Sequence, residues 1–257
     1  MLKAVMLAAG IGSRLERGPN PPPKVMLGFA GKSLLQRHVE ILRHLGVDEL
    51  VVVTGYRAEA IHRGIHEAGA DGYVRTIHNP DFVRGTLLSL WTARKELMSG
   101  ADIIYMDADV LYDHRLMAAL LESAHGNCLL MDRNDAPGED PVKICIRDGA
   151  IVDFHKTPRE QHDHWGEWPG FLRMTPDCAR RVVTAMSHHV DSGRLDEMVE
   201  EAFRDIVLSA SPTDGFGVED ITGLPWVEID FPDDLVRARR EVLPALARLD
   251  PSRARTG

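Results

Sequence analysis

Two pairs of carboxylates and one glycine-rich loop carry the chemistry of this sequence. Residues 103–111 read Ile-Ile-Tyr-Met-Asp-Ala-Asp-Val-Leu, so Asp107 and Asp109 stand two apart where an apolar run ends. On an extended chain that spacing turns both side chains to one side. Carboxylates that close repel unless a cation lies between them, and Mg²⁺ shared with phosphate oxygens suits an all-oxygen donor set. A solvated turn or a helix cap is the alternative. Glu228 and Asp230 repeat the spacing in Pro-Trp-Val-Glu-Ile-Asp, residues 225–230. An acid pair on an edge strand explains them equally well. Pro232, Asp233 and Asp234 read as a helix start, where proline is tolerated and acids face the positive end of the dipole.

The loop follows an apolar run, Leu2 to Ala8, broken only by Lys3. Ala9, Gly10, Gly12 and Ser13 are small enough for backbone N–H groups to approach an anion. Arg14 and Lys24 bracket the loop, one a planar fork and the other a point charge, and both suit phosphate oxygens. Two lookalikes fail. A dinucleotide fingerprint needs a third glycine where Leu15 stands. Gly31-Lys32-Ser33 imitates the end of a Walker A loop, but its leading glycine would fall on Met26.

Three further groups have a structural and a chemical reading. Thr86, in Arg-Gly-Thr-Leu-Leu-Ser at 84–89, can cap a helix. Lys143 and Lys156 fall on two expected strands, where a lysine is solvated unless it faces an anion. His162 and His164 read as surface loop residues. Trp165 and Trp168 flank Glu167, and aromatic rings beside an acid can hold an ammonium group. Core packing explains either tryptophan alone.

The elements that would position these residues alternate. Strands are expected at 2–8, 49–54, 72–78, 102–106 and 127–131, with helices at 34–45, 57–68, 86–98 and 114–124. Ser33 is the expected cap of the first helix and Gly46 its stop. Such alternation implies a doubly wound α/β sheet with right-handed crossovers. After a polar link at 134–140 the rhythm changes. Residues 142–146 and 150–155 around Asp148-Gly149 read as a β-hairpin. Residues 157–170 lack periodicity and read as a loop or lid. Helices follow at 176–190 and 195–207, then strands near Val218 and at 227–229, a helix at 232–247 and a frayed tail at 250–257. One domain, 1–257, is expected, with 1–132 as its nucleotide-binding half and 133–250 as its acceptor-binding half.

Composition narrows the class. A chain of 257 residues, 44% hydrophobic, can build a sizeable core without staples. A net charge of −9 argues against a general nucleic-acid binder and makes the cations at 14 and 24 more notable. Three cysteines, widely spaced, suggest neither a disulfide framework nor a zinc cluster. With no long apolar segment near the start and no membrane-length run, a cytoplasmic protein is expected.

The pattern Leu7-Ala8-Ala9-Gly10-x-Gly12-x-Arg14, with Pro23-Lys24 downstream, resembles the signature of the nucleotidyltransferases that make nucleoside-diphosphate sugars and CDP-alcohols. Asp107-x-Asp109 and Trp226-x-Glu228-x-Asp230, followed by Pro-x-Asp-Leu, are similar to segments of the phosphocholine and 2-aminoethylphosphonate cytidylyltransferases. The resemblance covers nearly the whole chain. It implies a Rossmann-like, mostly parallel mixed sheet of GT-A type with a small hairpin or lid insertion. It implies that the nucleotide lies on Leu7, Ala8, Ala9, Gly10, Gly12, Ser13, Arg14 and Lys24, with Arg14 and Lys24 catalytic, and that Asp107 also serves the nucleotide. Asp109 and Asp230, with Asp107 second, are the implied Mg²⁺ ligands. Gly85, Thr86 and Ser89 are the implied base contacts, although Gly85-Thr86 replaces the Asn-Asn of choline-type members. Lys143, Lys156, Trp168 and Glu228 are assigned to the acceptor. The expected reaction is transfer of CMP from CTP to a phosphate or phosphonate acceptor. The alternatives are a sugar-1-phosphate or inositol-phosphate nucleotidyltransferase using CTP, UTP, GTP or dTTP, and a non-catalytic nucleotide-binding regulator. No nucleic acid, no membrane and, as the one assembly considered, a homodimer complete the expectation.

Overall fold

Strand β1 (Leu2–Ala8) is central because Lys3 to Ala8 are all buried. Lys3 is tolerated there because its ammonium reaches Glu96 at 2.7 Å and Glu49 at 3.2 Å. In the computed structural model, which describes residues 1–15, 18–134, 138–209 and 215–248, the strands continue in chain order. Two short ones, β2 (Gly28–Phe29) and β3 (Lys32–Ser33), form a hairpin. Then come β4 (Glu49–Thr54), β5 (Val74–His78), β6 (Asp102–Asp107), β7 (Val110–Tyr112) and β8 (Cys128–Met131). The second half adds β9 (Lys143–Arg147), β10 (Ala150–His155), β11 (His164–Glu167), β12 (Phe171–Met174), β13 (Gly217–Asp220) and β14 (Trp226–Glu228).

Seven strands form one mixed sheet in the order β13-β8-β12-β6-β1-β4-β5. Its pairs are parallel except around β12, which runs antiparallel between β6 and β8. Alternate residues of β1 face opposite layers: Val5 and Leu7 pack in one, Ala4 and Met6 in the other. Helices α1 (Leu34–His44), α2 (Ala58–Glu67), α3 (Thr86–Thr92), α4 (Arg94–Leu97) and α5 (His114–Glu122) come from the first half. Helices α6 (Pro176–Asp191), α7 (Val199–Ser209), α8 (Pro232–Arg237) and α9 (Leu243–Ala245) come from the second. Helix α1 starts where the Ser33 hydroxyl accepts the Gln36 N–H, and Gly46 ends it with φ +77°. A third cluster, including Leu15, Phe29, Leu34, Leu111 and Val227, joins the β7–β14 ribbon to helix α1.

The mostly parallel, doubly wound expectation agrees with this sheet; three local expectations do not. The helix expected at 86–98 breaks at Ala93 into α3 and α4. The 157–170 stretch is not all loop: β11 pairs antiparallel with β9, making a sheet of order β10-β9-β11. Its polar His-Trp-Gly-Glu carries no alternation, so the pairing partner supplies what the pattern lacks. The strand expected near 227–229 is present as β14, paired with β7 outside the main sheet. The helix expected at 232–247 ends as α8 at Arg237, widens into a π turn over Ala238–Val242 and closes as α9, where Pro244 lacks an N–H to donate. The tail at 250–257 lies outside the described residues, as does 135–137 of the polar link. All three cysteines are free and buried, and among the described residues no helix is long and apolar enough to cross a membrane.

Candidate active site

The C-terminal ends of β1 and β6 open into a cleft of ≈ 300 Å³. In an open α/β sheet that edge is where loops gather and ligands bind. One wall is the loop after β1: Leu7, Ala8, Ala9, Gly10, Gly12, Ser13 and Arg14 all line the cleft. Gly12 sits at φ +66°, a left-handed conformation that favours glycine. Among the described residues, the N–H groups of residues 10–13 donate to no backbone carbonyl. They are therefore donors available to an anion.

The acids expected from the sequence separate into two groups. Asp109, Glu228 and Asp230 each offer a carboxylate oxygen within 4.8 Å of the others. The β7–β14 ribbon builds this trio. Glu228 pairs with Val110, and the Ile229 N–H donates to the Asp109 carbonyl at 3.0 Å. Three hard oxygen donors fit a divalent cation such as Mg²⁺. The Lys24 ammonium lies at 2.7 Å from Asp109 and also contacts Asp230. Burial opposes its charge, yet these two carboxylates hold it above the ordinary lysine value. Arg14 completes the group at 2.6 Å from Asp230, with its ring-facing side over Phe231. Burial, then Asp109, Asp230 and Asp107, push the Glu228 carboxyl well above the usual range. This is the signature of negative charge that a cation would relieve.

Asp107 stands apart from that trio. Its carboxylate accepts the Tyr105 hydroxyl at 2.7 Å, and its own N–H donates to the Gly170 carbonyl at 3.0 Å. A Cβ on Gly170 would fall 2.4 Å from Asp107 Oδ2, so glycine leaves room for the carboxylate. Burial, then Asp109 and Glu200, raise Asp107 well above the carboxylate range. Glu200, near the start of α7, also lines the cleft. Its Oε2 is buried without a hydrogen-bond partner, and burial raises its carboxyl as well.

The segment expected to contact the base is only partly in the cleft. Thr86 and Ser89 line it, but the Thr86 hydroxyl accepts the Val199 N–H at 2.9 Å and the Ser89 hydroxyl accepts from Asn79 Nδ2 at 3.0 Å. Gly85 does not line it. A Cβ there would meet the Glu197 carbonyl oxygen at 1.9 Å, so this glycine serves close packing against the backbone of Asp196 and Glu197. The two lysines also part. Lys156 lines the cleft and reaches Asp140 at 2.6 Å. Lys143 lies outside it, donating to the Lys156 carbonyl at 2.8 Å with its ammonium over Trp165. Trp168 is 3% exposed, stacked near Tyr105 with its Nε1–H on the Phe171 carbonyl, and one edge lines the cleft. Glu167 turns away and accepts the Gly138 N–H at 2.9 Å.

Arg84, Tyr105, Asp140 and Glu200 also line the cleft and were not singled out from sequence. Arg84 forks onto Asp196 at 2.9 and 2.8 Å, tying the segment before α3 to the one before α7. Its place beside Gly85-Thr86 was the only signal available. Glu200 gave none, because an acid in a first helical turn is already explained by the dipole.

A family model described as the MobA-like NTP transferase domain matches residues 4–253. The chain is 27% identical over 241 residues to the CMP-5'-(3-aminopropyl)phosphonate synthase of Streptomyces rubellomurinus, covering 91% of this chain and 37% of that protein. It spans 37%, 50% and 52% of the length of the first three curated relatives it matches. The inositol-1-phosphate CTP transferase of T. maritima superposes with a TM-score of 0.73 at 21% identity, covering 99% of this chain and 96% of that one. The CTP:phosphocholine cytidylyltransferase of Streptococcus pneumoniae superposes with a TM-score of 0.68 at 20% identity, covering 92% and 96%.

Proposed function

The chain belongs to the MobA-like NTP transferase domain family and is a nucleotidyltransferase, and on that premise we propose that it transfers CMP from CTP to a small phosphonate or phosphate whose other end carries a positive charge. A phosphonate or phosphate oxygen of the acceptor attacks the α-phosphorus. The new P–O bond forms as the bond to the bridging oxygen breaks, and pyrophosphate leaves. The N–H groups of residues 10–13 and the Arg14 guanidinium receive the triphosphate. Lys24 stands where charge builds on the leaving oxygens, and such fixed donors act on developing charge without reorganising. Asp109, Glu228 and Asp230 would hold Mg²⁺, which neutralises phosphate charge when bound. Lys156, steadied by the Lys143 contact to its carbonyl, faces the acceptor's anion and lessens the repulsion between two anions.

The observation that carries the acceptor class is Glu200. Glu200 and Asp107 both line the cleft, as do Tyr105 and Trp168; neither acid belongs to the metal trio, and Glu200 Oε2 is buried without a hydrogen-bond partner. Two carboxyl groups in a mostly buried pocket match an ammonium group, whose charge favours their ionised form. A sugar hydroxyl, being neutral, would not favour ionisation of either carboxyl. The resemblance to an aminoalkylphosphonate synthase supports the same reading. The test is pyrophosphate release with Mg²⁺ and each of CTP, UTP, GTP and dTTP. Each nucleotide is paired with 2-aminoethylphosphonate, 3-aminopropylphosphonate, phosphocholine, inositol-1-phosphate and glucose-1-phosphate. Turnover is expected with CTP and a cationic acceptor. Turnover confined to inositol or sugar phosphates would reject the proposal.

A further inference from the structure

His38 is fully buried on the core face of α1, between Leu34, Leu35, Val39 and Leu42. A hydrocarbon of similar size would fill that face without the penalty of desolvating an imidazole. The ring instead makes two attachments. Its Nε2 lies 3.1 Å from the Ala108 carbonyl oxygen. Its Nδ1 lies 3.5 Å from the Tyr112 hydroxyl, and the rings stack with centroids 5.5 Å apart and planes 28° apart. A carbonyl only accepts, so the hydrogen sits on Nε2 and Nδ1 faces the tyrosine hydroxyl as an acceptor. Burial pushes the imidazole down to about 4, so it is neutral near pH 7 and keeps that single arrangement.

The two attachments bracket β7. Ala108 opens the turn between β6 and β7, Asp109 is the next residue, and Tyr112 ends the strand. The same strand aligns Glu228 through Val110, and the Asp109 carbonyl receives Ile229 just before Asp230. All three acids of the trio are thus referenced to a strand that His38 holds at both ends.

We propose that His38 is a positioning residue: by donating to the Ala108 carbonyl while stacking on Tyr112, it fixes the turn that aims Asp109 at Glu228 and Asp230 and so sets the affinity of that trio for a divalent cation. This rests on reading the trio as a cation site. Outer partners of metal ligands set affinity because the ligands must be held in place before the ion arrives.

The experiment compares His38→Phe, His38→Gln and wild type, each checked for folding by circular dichroism. Mn²⁺ binding to the CTP-loaded protein is read by water-proton relaxation, alongside the KM for acceptor. His38→Phe fills the space but gives Ala108 no donor, and its Mn²⁺ affinity should fall by roughly tenfold or more. Its acceptor KM should stay where it was. His38→Gln can donate through its amide and should recover most of the affinity. If the phenyl ring is not accommodated, His38→Leu makes the same comparison. Equal Mn²⁺ affinity in wild type and His38→Phe, with only the melting temperature lowered, would overturn the proposal. So would a His38→Gln variant as weak as His38→Phe. Wild-type protein that takes up no Mn²⁺ would overturn the cation-site reading itself, and this proposal with it.

Discussion

Lys24 presents the sharpest conflict at the level of single residues. Its ammonium sits against Asp109 and Asp230, two of the three acids that would hold a metal. Ammonium and metal therefore compete for the same oxygens, and a triphosphate that draws Lys24 away would favour metal entry. Lys24→Met removes the competitor. Its turnover should fall by about two to three orders of magnitude, the usual loss for a preorganised donor to a transition-state oxyanion. Its melting temperature in chelator should drop, because two acids lose their counter-ion, and Mg²⁺ alone should raise it more than in wild type. Equal Mg²⁺ shifts in scanning calorimetry would show that no competition exists. Glu200 is the second case. A hydrogen bond to a charged group contributes about 1.5–3 kcal/mol, so Glu200→Gln should raise the KM of a cationic acceptor at least about tenfold. The KM for CTP should not move, and steady-state kinetics with both substrates varied measures the two together. The contrast shows what could be read from sequence. Lys24, Asp109, Glu228 and Asp230 stood out because their types are unusual at strand ends and loop edges. Glu200, Arg84 and Tyr105 did not, since each has an ordinary role in a helix turn, a loop or a strand. Asp107 looked like the twin of Asp109. Spacing gave both residues one direction, while Tyr105 and Gly170, distant or ambiguous in sequence, decide where the carboxyl rests.

Elements were legible where their own period was strong. Strands β1, β4 and β6 are apolar runs, and α1 has its serine cap, its apolar stripe and its glycine stop. Strands β11 and β12 were not: β11 is the polar His-Trp-Gly-Glu, β12 sits between β6 and β8, and each exists through its partners. The polar residue on the stripe of α1 gives a pH prediction at this scale. His38 is pushed down to about 4 from 6.5 by burial, with the Ala108 carbonyl and the Asp109 charge opposing. The ionisable groups facing it are the Tyr112 hydroxyl and Asp109. Its folded value is depressed, so the unfolded chain binds the proton first. Stability that is complete above pH 6.5 is then lost as pH falls toward 4. Over that window the loss is about 3 kcal/mol, taking about 1.4 kcal/mol per pH unit. Urea unfolding at pH 7.5 and pH 4.5, which covers most of that window, should show wild type losing about 2–3 kcal/mol more than His38→Gln. Parallel losses in the two proteins would mean that the imidazole is not the group responsible.

At the scale of the whole molecule, the expected boundary near residue 132 does not separate two sheets. Strand β12 comes from the second half, yet it lies in the middle of the main sheet, between β6 and β8 of the first. Beyond it, β13 forms the edge beside β8. The layer behind the sheet is mixed in the same way: Tyr105 of β6 packs against Trp168 and against Phe203 of α7, with ring centroids 5.9 and 4.9 Å apart. Such interleaving is invisible to a reading that goes along the chain, because long-range pairing has no local pattern. It also fixes what a fragment would do. Residues 1–132 alone would leave one edge of β6 and both edges of β8 with unpaired backbone groups, and would expose the apolar face that α6 and α7 cover. An exposed flat edge beside an apolar face is an invitation to aggregate. The fragment should therefore show no cooperative melt and no dispersed amide spectrum. Adding residues 133–257 as a separate chain during refolding should restore both, because β12 can then enter the sheet from the second chain. A fragment 1–132 that melts cooperatively by itself would mean that β12 joins a sheet already formed. The two halves would then be separate folding units.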